Sequence, residues 1–147
     1  MKKVVAMLML GFAVALAVAG ITSAARTETH KLHATLNAGQ EIPKQAVKVA
    51  GATGTFTATM TAKGKITWKL TYKGTSGPVM AAHIHMAKVG KAGNVIVPLC
   101  GPCHSGQTGV GHATATQVKA IESHGTYVNL HTAKNPNGEI RGQVTST

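Results

Sequence analysis

The chain has 147 residues, with fifteen Lys and Arg against four Glu, no Asp and five aromatic side chains. So few acids make a carboxylate dyad of the glycosidase kind improbable. So few Arg and aromatics, in a chain that begins like an exported one, argue against nucleic-acid recognition. The formal charge of +11 reads first as a solvated lysine surface. It reads second as attraction to an anionic envelope polymer or an acidic protein partner.

Residues 1–25 have the layout of a secretory signal peptide. Met1-Lys2-Lys3 is a basic start, Val4 to Ala19 an apolar run, and Ser23-Ala24-Ala25 the small residues of a cleavage site. The run is short for a membrane span of roughly 20 residues, so a retained anchor is the weaker reading. The expected product is one domain, residues 26–147, exported to the periplasm or medium with no span left after cleavage. Thirteen basic residues remain in it against four acids, a net +9. Its two cysteines are then expected as an oxidised or ligated pair.

The mature chain reads as short strands. His30 to Leu36 is the first, and Asn37 to Ala50 is a polar loop. Gly54 to Met60 alternates Phe56, Ala58 and Met60 with threonines, and Ile66 to Tyr72 alternates again around Trp68. Period-two alternation marks half-buried strands, and the Gly-containing turn between these two makes a hairpin. Trp68 reads as a core anchor. Met80 to Met86 is the next alternating run, with Ala82, Ile84 and Met86 on one face and His83 and His85 on the other. Val95 to Leu99 is short and apolar, with Pro98 suited to an edge. Gly101 to Gly111 reads as loop, His112 to Thr114 as a brief strand, and 117–123 as a short helix capped by Thr116 and ended by Gly125. Tyr127 to His131 and Glu139 to Val144 close the chain around an Asn135-Pro136-Asn137-Gly138 turn. Seven to eight strands with a single short helix predict an all-β Greek-key sandwich or barrel.

Four motifs in order resemble CHRD (chordin) domains: Leu36-Asn37-Ala38-Gly39-Gln40-Glu41-Ile42-Pro43, Ala81-Ala82-His83-Ile84-His85, Tyr127-Val128-Asn129-Leu130-His131-Thr132, and Asn135 to Gln143. The likeness runs from Leu32 to Val144. It implies a secreted β-rich domain that stands alone in microbial proteins and repeats in chordin beside growth-factor-binding modules, and it implies no established activity. The lysine content and His104 depart from the pattern.

Two constellations carry chemistry. Alternate strand residues point the same way, so His83 and His85 share a face, and His131 shares one with Tyr127 and Asn129. If the strands are neighbours, three imidazoles converge as ligands for copper or zinc, with His104 or His112 as a fourth. The competing reading leaves these histidines on the wet side of a sheet, holding loops and no cofactor. A weaker likeness is to copper-zinc superoxide dismutases, which also place His-x-His, a later strand His and a late Arg (here Arg141) on a Greek-key barrel. Those enzymes bind zinc partly through an Asp, and this chain has none.

Cys100-x-x-Cys103-His104 is the attachment pattern of haem c, with His104 as axial ligand and Met80, Met86 or His112 opposite. The same residues read as a plain disulfide, or as a soft-metal site. Cys-Gly-Pro-Cys also occurs in thioredoxins, whose helix N-terminus is not expected here. The sequence leaves a metal-carrying or inert binding module, a haem c electron carrier and a dismutase-like copper enzyme in that order. An enzyme is the least supported of the three.

Overall fold

The structure, a computed structural model, describes residues 28–147. The signal segment expected at 1–25 lies outside them. Nine strands and one short helix follow in order: β1 Thr29–Asn37, β2 Thr53–Thr61, β3 Lys65–Lys73, β4 Val79–Met86, β5 Val95–Cys100, β6 Gln107–His112, α1 Ala115–Glu122, β7 Thr126–Thr132, β8 Ile140–Gln143 and β9 Thr145–Ser146. No described helix is long and apolar enough to cross a membrane.

All ladders are antiparallel, and the strands run β5-β4-β7-β8-β1-β2-β3-β6, with β9 added beside β1. The ends of this path meet. A Cβ on Gly111 of β6 would lie 2.7 Å from Val97 Cγ1 of β5. The sheet is therefore a nearly closed barrel. The connections β3–β4 and β6–β7 pass between strands that are not neighbours, which makes the all-β architecture a Greek key rather than a meander.

Alternation fills the barrel. Leu32, Ala34 and Leu36 of β1, Phe56 and Met60 of β2, Ile66, Trp68 and Leu70 of β3, and Val128 and Leu130 of β7 are all buried in one core. Each such side chain contributes about 1.5–3 kcal/mol on leaving water. Val118 and Ile121 of α1 close the core from outside the sheet.

Four readings of the sequence need correction. The stretch 101–111 is not all loop: β6 occupies Gln107–His112, and no separate strand runs from 112 to 114. Gly109 and Gly111 stand where a strand would carry inward side chains, because neighbours already fill that space: a Cβ on Gly109 would lie 2.4 Å from Trp68 Cζ2, and one on Gly111 2.7 Å from Val97 Cγ1. The helix begins earlier, capped by Thr114 rather than Thr116. Thr114 Oγ1 accepts from Gln117 N and Gln117 Oε1 accepts from Thr114 N, a complete capping box. Its left-handed terminal residue is His124 (φ 57°), not Gly125. Met86, expected on the inward face with Ala82 and Ile84, is the last residue of β4 and is 37% exposed.

Candidate metal centre

Strand pairing decides what the histidines can do. β4 and β7 are neighbours, and their register sets His85 opposite Tyr127, His83 opposite Asn129 and Ala81 opposite His131. Ala82, Ile84, Val128 and Leu130 point into the core, so the residues between them form one outer face. On that face the ring centroids of His83 and His131 lie 5.1 Å apart, those of His83 and His85 5.7 Å, and those of His85 and His131 5.8 Å.

The ring nitrogens divide into two sets. His85 Nδ1 is 2.9 Å from Gly93 O, and His131 Nδ1 is 3.0 Å from Pro136 O. A carbonyl only accepts, so both rings carry their proton on Nδ1 and leave a bare lone pair on Nε2. Those Nε2 atoms and His83 Nδ1 are buried with no hydrogen-bond partner. The potential ligand atoms of the three residues lie within 4.8 Å of one another. Bonds of 2.0–2.1 Å would need each nitrogen to move inward by about 1 Å, within reach of small side-chain rotations.

Burial pulls all three imidazoles below their ordinary pKa, His131 to about 4. The hydrogen bonds to Pro136 and Gly93 push the other way without cancelling it. Neutral imidazole is the form that ligates a metal.

A second layer holds these rings. His85 stacks on Tyr127, with centroids 4.8 Å apart and planes at 12°. The guanidinium of Arg141 lies 3.4 Å above the other part of this stack, over the Tyr127 ring. Tyr127 Oη donates to Gly93 O, the same carbonyl that orients His85. Gly93 can sit there only without a side chain, since a Cβ would be 1.9 Å from Met86 O. Gln143 Nε2 donates to Ala87 O and Arg141 Nη2 to Lys88 O, which tie down the loop bearing Gly93.

On the His131 side the anchor is Glu139, which is fully buried. Its carboxylate accepts from Ser76 N, Ser76 Oγ, Thr132 Oγ1 and Asn135 Nδ2 at 2.5–2.8 Å. Burial alone would raise its pKa; the donors outweigh it and hold the carboxyl below its usual value. This fixes the 135–138 turn, and so the Pro136 carbonyl. Such outer partners set the tautomer and angle of a ligating histidine.

Glu41, Asn129 and Arg141 form a buried row beside the cluster. Asn129 Nδ2 donates to Glu41 Oε2 over 3.4 Å. Desolvation pushes the Glu41 carboxyl up to about 8, against the opposing pull of Arg141 and Asn129.

The structure does not bring the other sequence candidates to this place. His104 is exposed after the cysteine loop, its backbone N–H donating to Gln107 Oε1. His112 is exposed at the end of β6, opposite Lys65. Neither joins the three-histidine group. Cys100 and Cys103 are joined in a disulfide with Cα atoms 5.3 Å apart, which engages the two sulfurs that haem attachment would use. The loop between them abuts β4: Cys103 N donates to Val79 O at 3.0 Å, and Cys100 sits opposite Ala82.

Little in the sequence announces that Tyr127, Arg141 and Glu139 act together as a second layer. Tyr127 and Asn129 were on the His131 face by alternation alone, but the stack with Arg141 depends on β8 lying next to β7. Glu139 carried one available signal: a carboxylate directly after a tight turn in a chain nearly empty of acids.

The arrangement defines an all-β barrel bearing a three-histidine, carboxylate-free face with prearranged tautomers. The profile described as the CHRD domain matches residues 32–144, and the chain belongs to that family. Comparisons with curated proteins and with solved structures give no significant match.

Proposed function

We propose that this chain is an exported CHRD module that holds one transition-metal ion, copper or zinc, on His83 Nδ1, His85 Nε2 and His131 Nε2. One observation carries the reading: three buried imidazole nitrogens face one another without partners. Buried polar atoms are nearly always satisfied, and an orphan asks for a reason. A histidine that merely tied loops together would need only the Nδ1 bonds that His85 and His131 already make. Three lone pairs converging is what a His₃ centre with an open fourth position requires. The disulfide supports an oxidising compartment, as do the signal-like leader and the family. The lysine-rich surface supports attraction to anionic polymers around the cell. The disulfide also weighs against the haem reading.

Calorimetric titration of the apo-protein with Zn²⁺ and Cu²⁺, with elemental analysis of protein from its own exported fraction, tests this. One equivalent of metal is expected in the wild type and none in His83→Ala or His131→Ala, both keeping the far-ultraviolet β signature. A wild type that takes up no stoichiometric metal contradicts the proposal. A Soret band from a host able to attach haem would replace it with the electron-carrier reading.

A further inference from the structure

The three-histidine face opens to solvent through a cleft of about 430 Å³. Its walls are apolar: Ala81, Val95, Ala133 and Pro136 contribute no ligand atom. Thr132 also lines it, but its hydroxyl donates to Glu139 Oε2 and accepts from Asn135 N. The remaining lining side chain with a donor atom is Met80, whose thioether stands at the rim, 55% exposed.

Met80 reaches that rim because β4 is irregular there. Val79 and Ala82 are both core residues, which a regular strand forbids, since residues three apart face opposite sides. Val79 pairs with Thr132 and Ala81 with His131, so two steps on β4 match one on β7. This is a bulge, and a bulge re-aims a side chain. Without it Met80 would point into the barrel. The disulfide loop grips both ends of the bulged stretch, through Cys103 N to Val79 O and through Cys100 opposite Ala82. A Cβ on Gly101 would lie 3.3 Å from Met80 O, so the loop packs directly against the bulge.

We propose that Met80 is a fourth, soft ligand that swings onto the metal and makes the centre selective for Cu(I). An exposed, unbranched thioether on three rotatable bonds costs little to reorient. Imidazole with thioether suits Cu(I), whereas Zn²⁺ completes three imidazoles with water. The assignment rests on the three-histidine reading and deepens it.

The test compares wild type and Met80→Leu by two competitions: Cu(I) against a chromogenic chelator under anaerobic ascorbate, which leaves the disulfide intact, and Zn²⁺ against a zinc dye. Met80→Leu is expected to weaken Cu(I) at least tenfold and to change Zn²⁺ less than twofold. X-ray absorption of the Cu(I) wild type should show one sulfur scatterer in the first coordination shell, missing in the variant. Equal Cu(I) affinity in both proteins, or equal losses for both metals, overturns the role of Met80 and leaves the three-histidine centre standing. A wild type that binds neither metal overturns both.

Discussion

At the scale of single residues, the two buried glutamates that flank the histidine face differ in how they are satisfied. Glu139 has four donors and is an ordinary buried anion. Glu41 has one long hydrogen bond, a carboxyl oxygen without a partner and a pKa pushed up to about 8 by burial. The folded state thus keeps a proton on Glu41 that the unfolded chain releases near its ordinary value. Between those two pKa values the native state binds more protons, so this residue lowers stability progressively as pH rises from about 4.5 to 8. Glu41→Gln keeps the acceptor for Asn129 and removes the titration. Denaturant melts of the variant should match the wild type near pH 4.5 and exceed it increasingly up to pH 8. The gain should reach a few kcal/mol, with ~5 as the ceiling set by the full shift. A constant difference across that range would show that Glu41 ionises normally. The alternation rule made His83, His85 and His131 legible as a set from the sequence. It could not show that Gly93 and Pro136 would take their Nδ1 protons, because both carbonyls come from loops whose paths depend on β8.

Among the elements, β6 and β4 are where local pattern and tertiary structure diverge. The alternating runs at 54–60 and 66–72 are readable because most of their inward positions, Phe56, Met60, Ile66, Trp68 and Leu70 among them, carry large apolar side chains. Gln107 to His112 is not, because two of its inward positions, Gly109 and Gly111, are glycines facing Trp68 and Val97. The bulk that marks a strand in sequence had been moved to its neighbours. Gly109→Ala should therefore cost about 1–3 kcal/mol by overpacking against the indole, measured by urea melts with tryptophan fluorescence as a local probe. No loss would mean that β6 does not press on Trp68. The β4 bulge was equally hidden, since Val79-Met80-Ala81-Ala82 has no turn residue to announce it. The cysteine loop that grips it closes a short ring. Replacing Cys100 and Cys103 together by Ser should lower stability by about 2 kcal/mol in the chain-entropy view. It should also lower Cu(I) affinity as Met80→Leu does, while Zn²⁺ affinity holds. Loss of Zn²⁺ binding in that variant would mean that the loop supports the histidines themselves.

For the molecule as a whole, the core and the candidate centre occupy opposite faces of the same strands. The interior is a conventional apolar barrel, closed by the approach of β5 to β6. The outside of β4 and β7 carries a polar layer in which three buried imidazole nitrogens have no hydrogen-bond partner. A ligand held only by the native state stabilises it by mass action, about 2.7 kcal/mol at a hundredfold excess over Kd. Metal should thus raise the melting temperature of the wild type, chelator should reverse the rise, and His131→Ala should be indifferent to both. The most direct measurement is X-ray absorption at the zinc edge of the protein loaded with one equivalent of Zn²⁺. Convergence of the three histidines predicts three imidazole nitrogens at about 2.0–2.1 Å with their outer-ring scattering. A shell of water oxygens, or of one imidazole alone, would contradict it.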